Sequence, residues 1–491
     1  MLCCALFGTA TAQNTAVPKY EFTLEDVVQL AKEQSNAAIA ARHLLRSSYY
    51  SYMAYKANYL PKIILTTRPT TYEHSISTVN SSVGGVFQSQ EVKRNTFTSS
   101  AGLDLSQNVA LTGGSVSLVS DFRRVQNLSN SSTDYTTSPL RLLFNQPLNG
   151  YNELKWERKV EPLRYAEAKQ SYIAQLEAVS YNATMRFFNL ASAQIALTMA
   201  KVNLSNNKEL YEISKGRYMI GTIAEDALLQ MELRYMQAES ALSTAQINIE
   251  FAKMSLRSYL GFRDNVEIEL NINPGVPSLK VPADKALTYA MSNSAEVISY
   301  NRQVLEAEQA AARAKSQKGV TVNLSASYGL NKTGTEFSQA YSPRFDDTQG
   351  VSVGISIPIL DWNESRNRYR EAKSRQEMVQ TQMQQSSTDF QQQVFLQVMQ
   401  FNMQENQVYI NAKADTVAQK GYEVARQRYF TGKVTVTDLN IADDAKNAAK
   451  QKYIQELGTY WQYYYRVRQY TLFDFLNNKP LDVNFDDIIG K

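Results

Sequence analysis

Between Pro162 and Pro274 the chain contains no proline, and between Pro358 and Pro480 it contains none again. Proline removes a backbone N–H and clashes with the preceding turn, so windows this long permit helices that no compact domain could use. In the first window Leu176, Ala183, Leu190, Leu197, Leu204, Tyr211 and Tyr218 recur at every seventh position. A strict seven-residue apolar period implies left-handed supercoiling against neighbouring helices. An ordinary bundle core would explain the ladder's hydrophobicity but not its length. Residues 155–216 alone would span roughly 90 Å at 1.5 Å per residue.

The second window repeats the first. Pro147, Leu148, Asn152 and Glu153 recur as Pro358, Ile359, Asn363 and Glu364, and Arg217-Tyr218-x-x-Gly221 recurs as Arg428-Tyr429-x-x-Gly432. Each pair is separated by 211, as 428 minus 217 gives. The same offset carries the ladder to Val394, Phe401, Val408, Asp415, Tyr422 and Tyr429, with Asp415 the one polar rung. Nearer the N-terminus, Ala31 and Ser35 pair with Ala290 and Ser294 at an offset of 259, so 259 minus 211 leaves 48 extra residues within 36–146. Both ladders break at a glycine, Gly221 and Gly432, where a turn between antiparallel helices is expected.

Other segments alternate with period two, as strands between two environments do. Val322, Leu324, Ala326, Tyr328 and Leu330 are separated by Asn323, Ser325, Ser327 and Gly329; Val351, Val353, Ile355, Ile357 and Ile359 form a second such series. In the first repeat Phe97, Ala101, Leu103, Leu105 and Val109 alternate, as do Leu140, Leu142, Phe144 and Leu148. An outer-membrane barrel and a soluble sandwich share this pattern, and the long helices favour the barrel. No run approaches the ~18 to 20 apolar residues of a membrane-spanning helix. Only a closed barrel could then cross a bilayer, and so few strands close one only if several chains share it. Residues 80–94 and 331–349, rich in Ser, Thr, Gly and Asn, are expected to be exposed loops. Val116, Leu118 and Phe122 suggest that the 48-residue insertion is a hairpin turning at Gly113-Gly114. It is expected to decorate a 12-stranded barrel from outside rather than widen it to 18.

Lysine and arginine (51) nearly balance aspartate and glutamate (47), so the net charge of +4 creates no field that would gather nucleic acid. Cys3 and Cys4 are the only cysteines. Leu2 to Phe7 with Ala10-Thr11-Ala12 reads as a truncated signal peptide cleaved after Ala12, and export follows from it. Nothing points to an enzyme. His43 and His74, the only histidines, lack metal-ligand spacing, Thr112-Gly113-Gly114 suits a hairpin turn rather than a phosphate loop, and no serine sits in a nucleophile elbow. No cofactor and no metal are expected.

Two repeats, each with a helical segment, strands and a long helical hairpin tipped by RYxxG, resemble the TolC family of outer-membrane factors. Asn58-Tyr59-Leu60-Pro61 and Asn363-Glu364-Ser365-Arg366 carry the likeness further, which covers Leu24 to about Leu476. The resemblance implies a mixed α/β membrane protein: a homotrimer whose shared barrel of about 12 strands, four per chain, stands in outer-membrane lipid and continues as a helical coiled-coil tunnel in the periplasm. It further implies a passive duct for drugs, small toxic compounds or secreted polypeptides, coupled through a periplasmic adaptor to an inner-membrane transporter. An acidic ring at the aperture would fall on Asp438, its tyrosine on Tyr429 beside Tyr218, and its first-repeat acidic partner on Glu225 and Asp226. Ile441 and Val434 stand where some members carry a second acid and a basic gate residue. Arg217, Gly221, Arg428 and Gly432 would be hairpin tips and adaptor contacts.

The expected segments are a signal peptide (1–12), N-terminal helices (13–58), strands with the inserted hairpin (59–148), a helical hairpin (149–262) and a linker (263–282). The second repeat follows with a helix (283–318), a β-hairpin (319–360) and a helical hairpin (361–470), ending in a tail (471–491). The alternative is a tethering coiled-coil protein with a soluble β head.

Overall fold

The computed structural model describes residues 19–83, 86–262, 266–273 and 275–490. The expected signal peptide, with Cys3 and Cys4, lies outside the described residues. The first repeat runs β1 (Lys19–Phe22), α1 (Leu24–Gln34), α2 (Asn36–Ala57), β2 (Lys62–Val83), β3 (Val86–Val109), β4 (Gly114–Asn127), β5 (Ser132–Pro147), α3 (Glu153–Met219) and α4 (Glu225–Leu260). The second runs β6 (Glu267–Leu270), α5 (Ala283–Asn293), α6 (Ala295–Ser316), β7 (Thr321–Gly334), α7 (Phe337–Ala340), β8 (Asp346–Ser356), α8 (Glu364–Phe430) and α9 (Val436–Thr471). The chain closes with β9 (Phe473–Asp474), β10 (Lys479–Pro480) and α10 (Phe485–Ile489).

The duplication extends to helix length. α3 and α8 each have 67 residues, α4 and α9 each have 36. At 1.5 Å per residue, a helix of α3's length extends about 100 Å. No described helix is long and apolar enough to cross a membrane.

One compact unit joins the described parts of Met1–Ser47, Glu167–Val297 and Ser387–Lys491. Its core centres on Phe187, Leu190, Leu256, Phe401, Leu457 and Tyr460. In α8 every apolar rung of the ladder from Val394 to Tyr429 is buried. The polar rung, Asp415, keeps its place through an ion pair with Lys450 of α9 at 3.1 Å. At Gly458 the backbone of α9 lies so close to α3 that an added Cβ would meet the Phe188 Cβ and Cγ at 2.9 Å. Those atoms sit at the rigid base of the ring. Gly458→Val should therefore lower stability by about 1–3 kcal/mol through overpacking, measured as a fall in the denaturation midpoint.

The other unit, Ser48–Ala166 with Ile298–Ser386, contains a six-stranded antiparallel sheet in the order β2-β3-β4-β5-β7-β8. One face carries Leu65, Leu103, Leu118, Leu142, Tyr328 and Val351. The opposite face carries Asp104, Asp121 and Arg141, the last two paired at 2.9 Å. Period-two alternation thus becomes one apolar and one polar surface.

The sheet corrects two expectations. Residues 80–83 and 86–94 are not a loop: β2 and β3 pair from Lys62↔Ser106 to Val83↔Val86, so these stretches are ladder. The sheet also holds six strands where four were expected. The insertion is hydrogen-bonded into it, since β3 pairs with β4 from Thr96↔Asn127 to Val109↔Gly114 across the Gly113-Gly114 turn. Residues 331–349 are partly regular as well, containing the end of β7, α7 and the start of β8.

Candidate gate at the helical hairpin tips

The two RYxxG segments close their helices with the same geometry. The Gly221 N–H donates to the Tyr218 carbonyl at 2.9 Å and the Thr222 N–H to the Arg217 carbonyl at 2.9 Å; Gly432 and Lys433 repeat this onto Tyr429 and Arg428 at 3.0 and 2.9 Å. Gly221 and Gly432 have φ of 72° and 70°, a left-handed conformation that a Cβ disfavours and that reverses the chain at once.

The tyrosines before those glycines differ. Tyr429 is 3% exposed, Tyr218 is 42% exposed. Buried Ser214 of α3 donates its hydroxyl hydrogen to the Leu210 carbonyl at 2.8 Å, which leaves its oxygen to accept from the Tyr429 hydroxyl, also at 2.8 Å. Shifting Ser214 by 211 gives Ala425, which has no hydroxyl, so Tyr218 has no counterpart bond. Arg217 completes the contact. It donates to the carbonyls of Tyr429 at 3.3 Å and Phe430 at 2.8 Å, and its guanidinium lies 5.2 Å from the Tyr429 ring centroid. Arg428, its repeat mate, is exposed.

Beneath this clasp Leu210, Met231, Tyr422, Val436 and Leu439 form a small core. Polar ties run along it: Arg426 to Glu209 at 3.0 Å, Arg234 bidentate to Asp444 at 3.2 and 3.0 Å, and Lys446 over the Tyr422 ring at 3.8 Å. The first two join one helical hairpin to the other.

Asp438 is exposed and occupies the third position of α9. Its Oδ2 accepts from the Thr435 hydroxyl at 2.7 Å and the Thr435 N–H at 3.1 Å, while its own N–H donates back to Thr435 Oγ1 at 3.2 Å. This reciprocal cap satisfies two otherwise orphaned amides. The Thr435 hydroxyl, followed by the Thr435 N–H, holds the Asp438 carboxyl below its ordinary 3.8. Glu225 and Asp226 are exposed in the first turn of α4, where acidic charge suits the helix dipole. Asp226 and Tyr429 line one cleft of about 750 Å³. The Tyr429 hydroxyl bonds to Ser214. Sequence reading missed Ser214, although a serine four residues after a buried leucine, present in only one repeat, marks the asymmetry. Among the described residues no cluster of His, Cys, Asp and Glu is placed to hold a metal.

The chain thus combines a sheet with one apolar face and a duplicated pair of very long helical hairpins. Residues 288–471 match the family model described as outer membrane efflux protein. Solved structures agree across nearly the whole chain. The CmeC outer membrane channel of Campylobacter jejuni is 15% identical with a TM-score of 0.66, covering 95% of this chain and 88% of its own. VceC of Vibrio cholerae is 13% identical with a TM-score of 0.63 and coverage of 94% and 97%. The open-state MtrE outer membrane channel of Neisseria gonorrhoeae is 14% identical with a TM-score of 0.61 and coverage of 94% and 91%. No curated protein matches in sequence. The family match thus covers part of the second repeat, and the chain as a whole has the fold of these outer membrane channels.

Proposed function

We propose that three copies of the chain assemble into a passive export duct of the outer membrane, joined through a periplasmic adaptor to an inner-membrane pump. Its cargo would be drugs, small toxic compounds or secreted polypeptides. One observation carries this reading. The six-stranded sheet exposes an apolar face, with Val351, Val353 and Ile355 at 76%, 57% and 62%, and leaves β2 and β8 as unpaired edges. Unpaired edges and exposed aliphatic strands are tolerated in lipid only when other copies complete a barrel. Purified in detergent, the chain should have a protein mass of about 166 kDa, three times 55.4 kDa, before signal removal. A monomer that stays soluble without detergent would refute the duct.

At the tip, Asp438 would line the aperture and the bond from Tyr429 to Ser214 would hold the hairpins together. Arg428, exposed just before the turn at Gly432, is available to meet the adaptor, whereas Arg217 is engaged in the clasp. Asp438 carboxylates brought together about a threefold axis would favour cations. Asp438→Asn keeps an oxygen for the Thr435 cap and removes only the charge. It should reduce cation selectivity in single-channel recordings while leaving assembly unchanged. Identical selectivity in the Asn variant would return Asp438 to a purely capping role.

A further inference from the structure

We infer that the β2–β3 hairpin is part of the membrane wall, so that each copy supplies six strands and the free edge of β2 pairs with β8 of a second copy. This rests on the duct reading. Three copies would then close a barrel of 18 strands, three times the six in the sheet. Barrel diameter grows roughly linearly with strand number, so the pore would be about one and a half times as wide as with four strands per copy.

Hydrogen bonding supports this first. For β4 to meet a neighbouring copy, the whole ladder from Thr96↔Asn127 to Val109↔Gly114 would have to open. Surface chemistry points the same way. Ile63 and Leu65 of β2 are 69% and 67% exposed, and they stand opposite Leu105 and Leu103, which continue the apolar face of the other strands. A hairpin outside the wall would lay those aliphatic rows in water or against the barrel; within the wall they meet lipid. Tyr72 and Phe97 pair across the same hairpin with ring centroids 5.2 Å apart, as aromatic girdles do at the edge of the hydrocarbon.

Pro69 fits this placement. It lies where the β2–β3 register shifts between Arg68 and Thr71, so its missing N–H coincides with an existing interruption. The stretch Lys62–Arg68 below it remains regular and available to β8. Above it, β2 and β3 continue from His74↔Asn95 onward, past the last β4 partner, Asn127 on Thr96. That part of the hairpin extends beyond β4.

Disulfide trapping tests the inference, because neighbouring strands bring Cβ atoms within cross-linking distance. In a background with Cys3 and Cys4 replaced by serine, the full-length chain would carry Thr66→Cys on β2 together with one of Gly350→Cys, Ser352→Cys or Gly354→Cys on β8. A parallel series would pair Ser117→Cys on β4 with the same β8 positions. Oxidation in isolated outer membranes should convert most of at least one β2–β8 variant to species at two and three times the monomer mass on a denaturing gel, and none of the β4–β8 series. Products from β4–β8 alone, or none from β2–β8 in an intact trimer, would overturn the six-strand wall and leave the duct standing. A monomeric chain without cross-links would overturn both.

Discussion

Replacing Arg468 with alanine is expected to lower the stability of the helical unit by about 3–5 kcal/mol. Arg468 sits on α9 between two buried carboxylates, with its Nε 2.9 Å from Glu177 and its Nη1 3.2 Å from Asp474; both acid side chains are only 3% exposed. Lys32 also meets Glu177 at 2.7 Å, so Glu177 would keep one partner and Asp474 would lose its cation. Desolvation then acts without compensation, which is why breaking such a pair costs more than making it gains. Arg468→Lys should lose less, because a charge remains although the planar fork is gone. Acid acts in the same direction. Burial pushes the Asp474 carboxyl up, but hydrogen bonds from the Asn477 side chain and backbone, with Arg468 beside it, bring it below 3.8 on balance. Its stabilisation is therefore complete above that value and lost as pH falls through the lower folded one. Chemical denaturation in detergent measures both effects; a loss below about 1 kcal/mol for Arg468→Ala would mean that the cluster is solvated.

The double variant Arg217→Ala, Tyr429→Phe should open the tip. It removes two guanidinium bonds to the carbonyls of Tyr429 and Phe430 and the hydroxyl bond to Ser214. At about 1 kcal/mol net for each bond, the closed arrangement loses about 3 kcal/mol. That is roughly a hundredfold in the ratio of closed to open states. Single-channel records should show longer open dwells, with each single variant in between. Tyr218→Phe serves as the control, since Tyr218 is exposed and lacks the corresponding serine. Equal gating in the double variant and the wild type would mean that the clasp joins helices without controlling passage.

Much of this fold was legible because its signals are periodic and duplicated. Proline-free windows, a seven-residue ladder and a constant offset of 211 specify long paired helices, and the glycines that break the ladders mark their turns. Asp415 looked like a defect in the ladder. It is instead half of an ion pair whose other half, Lys450, no periodicity announces. The distal β2–β3 hairpin was illegible for a different reason. Beyond β4 it follows no apolar-polar alternation, so its Ser, Thr and Asn read as loop although backbone pairing alone makes it ladder. At the tip, the repeated tyrosines suggested equivalent roles. A single difference, Ser214 against Ala425, gives one buried tyrosine a hydroxyl partner that the other, exposed one lacks.

The duct itself is tested most directly by adding the purified, detergent-solubilised protein to a planar lipid bilayer and recording current at fixed voltage. The assembled barrel should insert and give discrete ion-conducting steps of uniform size, cation-selective and sensitive to Asp438→Asn. A folded protein that inserts without any conducting step, or that remains in solution as a monomer with no affinity for lipid, would contradict the duct and favour a tethering coiled coil with a soluble β head.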